Sequence, residues 1–308
     1  MKVCIVGAGA LGCSIGAALA QAGSEVWLVN RSQPHVQAIN AHGLRVRDDD
    51  GERVVRVRAA TDAAGIGPVD LVVVLVKSYD TRAAIEAATS LLGPDTVVMS
   101  LQNGLGHEDV LAEVVGRERV LAGKTYVGGV MLGPGHIIGG TRGKKTLIGE
   151  LDGRVSARAK AIAAEFGKAG LDTEVSDNIV GTMWDKLLVN VSTGALAAIT
   201  RLTYGPLYEV PEIEATALAA VAEAMAVAQA LGVRLSLRDP REAWVLASAG
   251  LSRDFKTSML QSLEKGSRTE IDFINGVVVR EGERLGVPTP VNRTLVACVK
   301  GIEKGLFA

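Results

Sequence analysis

The chain has 308 residues, enough for one large domain or two ordinary ones. Its 33 Lys and Arg are interspersed with 34 Asp and Glu, which gives a formal net charge of -1. This balance excludes the massed positive charge that binding to nucleic acid or to an anionic membrane requires. Since no stretch reaches the ~20 unbroken apolar residues that cross a bilayer, we predict neither nucleic acid nor membrane as a partner.

Three cysteines, Cys4, Cys13 and Cys298, lie in apolar stretches without short-spaced partners or nearby histidines. This pattern predicts buried, reduced side chains, with no disulfide and no bound metal. The opening segment shares features of a signal peptide, but its glycines are spaced as in a folded loop and the strand-like run EVWLV follows. We therefore predict a cytoplasmic protein that keeps this segment.

The first half alternates strand-like and helix-like segments. KVCIVG is followed by a small-residue helix from about Ala10 to Ala22, by EVWLVN, by a helix near His35, and by the apolar runs DLVVVLV and TVVMSLQ. Continuous Val, Leu and Ile runs separated by helices predict a parallel sheet that is covered on both faces. Within this half, GLRVRDDDGERVVRV predicts a hairpin that turns around Asp49, Asp50 and Gly51.

The pattern then changes twice. From Val120 to Glu150, short β-prone pieces broken by glycine predict an antiparallel extension of the sheet, and a helix from Ser156 to Lys168 and the strand DTEVS follow. After Asp177 the strand signals stop and Ala- and Leu-rich helices take over. The predicted fold is α/β: a Rossmann-type dinucleotide-binding domain over residues 1–177, followed by an all-helical domain over residues 178–308.

The stretch GAGALG follows the first strand directly and has the G-x-G-x-x-G arrangement. Gly7 makes the tight turn, Gly9 lets the backbone approach a pyrophosphate, and Gly12 lets the next helix pack against the strand with its N-terminus toward the phosphates. An incidental glycine loop is the alternative, which the surrounding βαβ pattern disfavours. The residues predicted to hold a dinucleotide are Gly7, Ala8, Gly9, Ala10, Leu11 and Gly12.

The choice between NAD and NADP is made at the end of the second strand, where an NAD enzyme usually has Asp or Glu. This chain has Asn30 and Arg31 there. A guanidinium suits a 2'-phosphate through paired charge-assisted hydrogen bonds, so we predict NADP(H) rather than NAD(H). The alternative is that Arg31 is a solvated charge at a strand end.

Polar side chains also follow two other strands. Lys77 ends DLVVVLVKS and Asn103 ends TVVMSLQNG. The carboxyl ends of parallel strands form the edge of the sheet where ligands bind. Each residue could instead cap a turn, but two of them at the same edge favour a site.

The helical half contributes further candidates. WDKLLVN places Lys186 and Asn190 at i and i+4, on one face of a helix. The lysine is either a surface charge on an extended stem or a functional amine, and its spacing does not decide between them. KTSMLQSLEKGSRTEIDFING adds Ser258 and Glu270. Taken alone, Glu270 is typical of a charge at a helix N-terminus.

Several motifs together carry a resemblance to a known family. GAGALG, VKSYDT, SLQNGLG, WDKLLVN, TSMLQSLEKGSRTEIDFING and GVPTPVN, in this order and spacing, resemble the ketopantoate reductase (2-dehydropantoate 2-reductase) family over essentially the whole chain. The resemblance implies NADPH-dependent reduction of a 2-oxo acid to a 2-hydroxy acid, with the active site between the two domains. It implies 2-dehydropantoate as substrate and pantoate as product, in pantothenate biosynthesis.

The resemblance also implies residue roles. Lys186 corresponds to the catalytic lysine that protonates the carbonyl oxygen, and Glu270 to the acid that orients the lysine or the substrate hydroxyl. An ammonium there stabilises the charge that hydride addition creates, and a lowered pKa would help it release its proton. Cofactor binding is implied for Lys77, Asn103 and Glu270, and substrate binding for Asn103, Asn190 and Ser258.

One position departs from the family. After WDKLLVN the family commonly has a second asparagine, whereas this chain has Gly194. Loss of that amide removes a hydrogen-bond donor and is expected to enlarge the pocket. A reductase of a different branched or bulky 2-oxo acid is therefore an alternative to ketopantoate reduction.

Two other classes remain as alternatives. A non-catalytic NADPH-binding module would lack a proton donor, and Lys186 with Glu270 counts against it. A 6-phosphogluconate-type or opine-forming dehydrogenase would need additional basic or amine-recognising residues in the helical half, which we do not find. Apolar helices such as ALAAVAEAMAVAQALGV further predict a homodimer through the helical domain.

Overall fold

A computed structural model describes residues 1–306 of the chain. These residues divide into two compact units. The first unit contains Met1–Gln102 and His107–Ile179, and the second contains Asn103–Gly106 together with the chain from Val180 onward.

The first unit is α/β. Its strands are β1 (Lys2–Val6), β2 (Glu25–Val29), β3 (Leu44–Asp48), β4 (Gly51–Val55), β5 (Arg58–Ala60), β6 (Leu71–Val74), β7 (Val97–Ser100), β8 (Val120–Thr125), β9 (Gly128–Gly133), β10 (His136–Gly140), β11 (Thr146–Gly149) and β12 (Thr173–Val175). Its helices are α1 (Ala10–Gln21), α2 (Gln33–His42), α3 (Thr81–Glu86), α4 (His107–Val115) and α5 (Ala157–Lys168). Short 3-10 turns cover Ser78–Asp80, Thr89–Leu91 and Arg117–Arg119.

The main sheet explains the apolar runs of the sequence. Its strand order is β12-β11-β8-β7-β6-β1-β2-β5, and the strands from β8 to β5 in this order are parallel. In β1, Val3 and Ile5 pack into one hydrophobic core, while Cys4 and Val6 pack into another. Successive side chains of a strand point to opposite faces, so both faces of the sheet are buried. The predicted α/β fold with a parallel sheet is confirmed.

The antiparallel extension predicted for residues 120–150 is only partly correct. β8 and β11 pair antiparallel in the main sheet, but β9 and β10 leave it. They join the predicted β3–β4 hairpin in a second sheet with the order β4-β3-β10-β9. Ile137 of β10 and Val46 of β3 lie opposite each other and are both buried in the core that contains α1. Burial of this apolar pair draws the two segments together.

The cysteine prediction is correct at two positions and wrong at the third. All three cysteines are free, and Cys4 and Cys13 are buried. Their burial raises the pKa of both thiols to about 12, which keeps them protonated. Cys298 is exposed, because its helix turns Leu295 and Val299 toward the core instead.

The second unit is helical over the residues described. Its helices are α6 (Ile179–Thr200), which begins at the end of the first unit, α7 (Tyr204–Leu207), α8 (Pro211–Ala230), α9 (Pro240–Ser248), α10 (Ser258–Glu264), α11 (Asn275–Leu285) and α12 (Pro290–Leu306). A 3-10 turn covers Ile271–Phe273. By length and composition α8 could cross a membrane, but one such helix is a weak indication. Its residues Ala220, Val221 and Ala224 are buried in the helical core.

A buried polar network fixes the start of α12. Glu223 of α8 accepts hydrogen bonds from the backbone amides of Val291 and Asn292, at 2.8 and 2.9 Å. The Asn292 side chain donates to the Ala220 carbonyl at 2.9 Å and accepts from Asn275 at 3.0 Å. Both asparagines are fully buried. The asparagines of the motifs TEIDFING and GVPTPVN thus hold helices together.

Candidate functional site

The turn of the glycine loop is fixed by its neighbours. Gly7 has a φ of +97°, and a Cβ added to it would lie 2.5 Å from the carbonyl carbon of Leu75. The amides of Gly7 and Ala8 both donate to the Val29 carbonyl, at 3.0 and 2.9 Å. Only glycine fits this conformation and this space without strain.

Gly12 and Gly9 differ in the space around them. A Cβ on Gly12 would lie 2.9 Å from the Gly7 carbonyl oxygen and from Ile5 Cγ2, so α1 packs directly on β1. Around Gly9, no atom of residues 1–306 beyond its chain neighbours lies within 4 Å of the corresponding position. Gly9 is the N-cap of α1, whose first amides have no intrahelical acceptors. Open space beside amides at a helix N-terminus fits the pyrophosphate of a dinucleotide.

Asn30 holds the loop from the other side. Its side-chain amide donates to the Ala8 carbonyl at 2.8 Å, and its oxygen accepts from the Ser32 amide at 2.9 Å. The asparagine at the end of β2 therefore has a structural role, since it ties the glycine loop to the segment that carries Arg31.

Arg31, which follows β2, forms an ion pair with Asp80, which lies in the loop after β6. Its guanidinium Nη2 donates to Asp80 Oδ2 at 2.7 Å. The Arg31 side chain is 85% exposed and that of Asp80 is 27% exposed. Asp80 ends the 3-10 turn that follows β6. Sequence analysis missed Asp80, although it lies within the VKSYDT motif.

The loop that contains Lys77 and Asp80 is held by Gln102. The Gln102 side-chain amide donates to the Val76 carbonyl and to Thr81 Oγ1, both at 2.9 Å. The Asp80 amide donates to the Lys77 carbonyl at 2.8 Å. The Lys77 side chain is exposed at the carboxyl end of β6. The backbone of this loop is thus fixed on both sides of Lys77.

The segment with Asn103 packs on the turn that follows Glu270. Gly104 has a φ of +89°, and a Cβ added to it would lie 2.9 Å from Phe273 Cβ. The Leu105 amide donates to the Phe273 carbonyl at 3.0 Å. The structure therefore brings the Asn103 segment and the Glu270 segment together within the second unit.

Glu270 is half-buried and flanked by anchored neighbours. The amide and hydroxyl of Thr269 both donate to Glu303 Oε1, at 2.6 and 2.7 Å. Glu303, on α12, is only 6% exposed. On the other side, Asp272 forms an ion pair with Lys300, also on α12. Sequence analysis missed Glu303, which has no local pattern that marks it.

The remaining candidates lie on two helices. Lys186 and Asn190 are half-buried on α6, while Leu187 and Val191 are buried in the helical core. Both polar side chains therefore belong to the flank of the helix beside its core face. Ser258 is exposed and is the first residue of α10.

Gly194 is buried on α6, and a Cβ added to it would lie 3.6 Å from the methyl carbon of Met259. Met259 is itself 3% exposed. The space at this position is therefore bordered by an apolar group. Within the part of the chain that the structure describes, no group of three or more His, Cys, Asp or Glu residues is arranged to hold a metal ion.

Comparison with known proteins gives matches over both units. The family model described as ketopantoate reductase PanE/ApbA matches residues 3–153, and its C-terminal counterpart matches residues 178–303. A 2-dehydropantoate 2-reductase of Halobacterium salinarum is 37% identical, with 97% of this chain and 98% of that protein covered. The enzyme of the same name from Archaeoglobus fulgidus is 36% identical, with 99% of each covered.

Solved structures show the same likeness. The crystal structure of a PanE/ApbA family ketopantoate reductase from Ralstonia eutropha JMP134 superposes with a TM-score of 0.92, at 39% identity and 100% coverage of both chains. The ternary structure of D-mandelate dehydrogenase with NADH and anilino(oxo)acetate also gives a TM-score of 0.92, at 29% identity and 100% coverage of both. Since both family models match and relatives above 30% identity cover nearly the whole chain, the chain belongs to the ketopantoate reductase family.

Proposed function

We propose that this protein reduces a 2-oxo acid to a 2-hydroxy acid with NADPH, and that its substrate is 2-dehydropantoate. The observation that carries the proposal is the pairing, in a member of this family, of a glycine loop open at Gly9 with a half-buried lysine and asparagine on one flank of α6. A module that only bound the dinucleotide would not need that second feature. NADPH, when bound, supplies the hydride.

The residues of the first unit bind and orient the dinucleotide. Residues 7–12 carry the pyrophosphate against the N-terminus of α1, where Gly9 leaves room for it. Arg31 receives the 2'-phosphate, which a guanidinium can bind with two parallel hydrogen bonds. Lys77, exposed at the end of β6, adds a positive charge on the cofactor side.

The residues of the second unit act on the substrate. Lys186 stabilises the negative charge that develops on the carbonyl oxygen and then donates its proton to that oxygen. Glu270, held between the anchored residues Thr269 and Asp272, orients the lysine or the substrate hydroxyl. Substrate and nicotinamide contacts are assigned to Asn103, Asn190 and Ser258.

A panel of 2-oxo acids tests the proposal. We expect the purified protein to oxidise NADPH with 2-dehydropantoate, followed as loss of NADPH absorbance. Binding of NADPH without turnover of any 2-oxo acid would contradict the proposed reaction and leave a binding module.

The same panel tests a second candidate substrate class, 2-oxo acids with an aromatic side chain. Gly194 beside the Met259 methyl favours it, because an apolar wall does not pair with substrate hydroxyls, and a D-mandelate dehydrogenase shares the fold. In the Gly194→Asn variant the new Cβ would lie in ordinary contact with that methyl, 3.6 Å away, and the side chain would add a polar amide, so we expect reduction of aromatic 2-oxo acids to fall about 10-fold. Gly301→Asn, at an exposed helical glycine, is the control. An unchanged ratio between substrates would argue against a role of Gly194 in specificity.

We expect Arg31→Ala to raise the Kd for NADPH by about 10- to 100-fold, which is the range for loss of charge-assisted hydrogen bonds. The Kd for NADH should change little, because NADH has no 2'-phosphate. Isothermal titration with both dinucleotides measures this. Equal weakening of both would show that Arg31 supports the loop and does not recognise the phosphate.

Homodimer formation and a cytoplasmic location stay predictions within this proposal. The exposed Val245, Leu246 and Leu251 on and after α9 support an interface on the helical unit, because adjacent exposed apolar side chains are typical of contact surfaces.

A further inference from the structure

We propose that Asp80 is a specificity-determining residue for the dinucleotide. Its carboxylate competes with the 2'-phosphate of NADPH for Arg31 and accepts a hydrogen bond from the ribose hydroxyl of NADH. Asp80 thereby reduces the ratio of NADPH affinity to NADH affinity and lets the protein use both dinucleotides. This inference rests on the proposed function and names a second residue at the same cofactor site.

The two members of the ion pair differ in how firmly they are held. Asp80 belongs to a 3-10 turn and is the N-cap residue of α3. Its backbone amide donates a hydrogen bond to the Lys77 carbonyl. Gln102 fixes the same loop from the end of β7. Arg31 is a long side chain that is 85% exposed. The carboxylate is therefore the fixed partner, and the guanidinium is the one that can move.

A second guanidinium near this loop has different partners. Arg82, the next guanidinium along the chain, is paired with Glu113 and lies 3.9 Å from Glu86. Asp80 pairs with Arg31, across the ends of two strands of the sheet. The acid that NAD enzymes place at the end of the second strand is supplied here by a different loop.

The two dinucleotides meet this pair differently. A 2'-phosphate carries about -1.5 to -2 charges at neutral pH, so it repels a carboxylate and must draw Arg31 away from it. A ribose hydroxyl is neutral and can donate a hydrogen bond to the same carboxylate, as it does to the acid of NAD enzymes. Asp80 therefore disfavours NADPH and favours NADH.

The test is the Asp80→Asn variant, which keeps the size of the side chain and removes its charge. We expect the Kd for NADPH to fall about 3- to 5-fold and the Kd for NADH to rise about 2- to 5-fold, the scale of exposed charge interactions. Isothermal titration measures both. Adenosine 2',5'-bisphosphate and AMP should show the same opposite changes, and the effect on NADPH should shrink at high salt.

Glu25→Gln is the matched control, because it breaks an exposed pair with Arg58, 3.0 Å long, in the same sheet but at the start of β2. It should leave both dissociation constants unchanged. Weaker NADPH binding by Asp80→Asn would overturn the inference, since Asp80 would then position Arg31 for the phosphate. An unchanged ratio of the two constants would also overturn it, while the proposed function would stand. Failure of the unchanged protein to bind either dinucleotide would overturn both.

Discussion

Replacement of Lys186 by alanine is expected to lower kcat for 2-oxo acid reduction by about 100-fold or more, the scale of losing a proton donor and a charge that stabilises the transition state. The Kd for NADPH should stay nearly unchanged, because Lys186 is not among the residues proposed to bind the dinucleotide. The fold should also tolerate the change, since Lys186 is not part of the helical core, whereas its neighbour Leu187 is buried in that core. Steady-state kinetics and NADPH titration give the two quantities.

Lys304→Ala serves as the control for this variant. Lys304 is exposed in the last turn of α12, within the same unit, and has no proposed role. It should retain the full kcat. If Lys186→Ala kept kcat within a few-fold of the unchanged protein, the proton would have to come from another group and the proposed role of Lys186 would be wrong.

Substitutions at Gly7 and Gly9 should have different effects, because the two glycines differ in their surroundings. Gly7→Ala should mainly lower stability, and Gly9→Ala should mainly weaken dinucleotide binding. Gly7→Ala forces a Cβ into the β6 end, 2.5 Å from the Leu75 carbonyl carbon, at a positive φ. We expect it to lower the free energy of unfolding by about 2 to 4 kcal/mol. Gly9→Ala meets open space, so it should cost less than about 1 kcal/mol in stability.

NADPH binding should rank the two variants in the opposite order. Among folded molecules, Gly9→Ala is expected to weaken binding more than Gly7→Ala. Gly9→Ala places a methyl where the pyrophosphate approaches, so the Kd for NADPH should rise about 10-fold or more. Urea unfolding and NADPH titration on both variants measure the two effects. A folded Gly9→Ala protein with unchanged NADPH affinity would show that the pyrophosphate lies elsewhere.

Local patterns in the sequence were sufficient for much of the first unit. The run KVCIVG, the loop from Gly7 to Gly12 and the helix after it form a strand, a turn and a helix as predicted. Such patterns succeed because a buried strand, a tight turn and an amphipathic or small-residue helix each depend mainly on residues that are close in the chain. The placement of β9 and β10 was wrong, because the choice of sheet depends on which distant strand offers a partner, here β3.

The candidate site divides in the same way. The sequence by itself determined the family, the glycine loop, the basic residue at the end of β2, and the shared helix face of Lys186 and Asn190. Only the tertiary structure decided that Asp80 pairs with Arg31, that Glu303 anchors Thr269 beside Glu270, and that Met259 borders Gly194. These contacts join residues that are far apart in the chain, and an ion pair or a buried hydrogen bond leaves no periodic signal in either segment. Their partners are set by how strands and helices pack, which is a property of the whole fold.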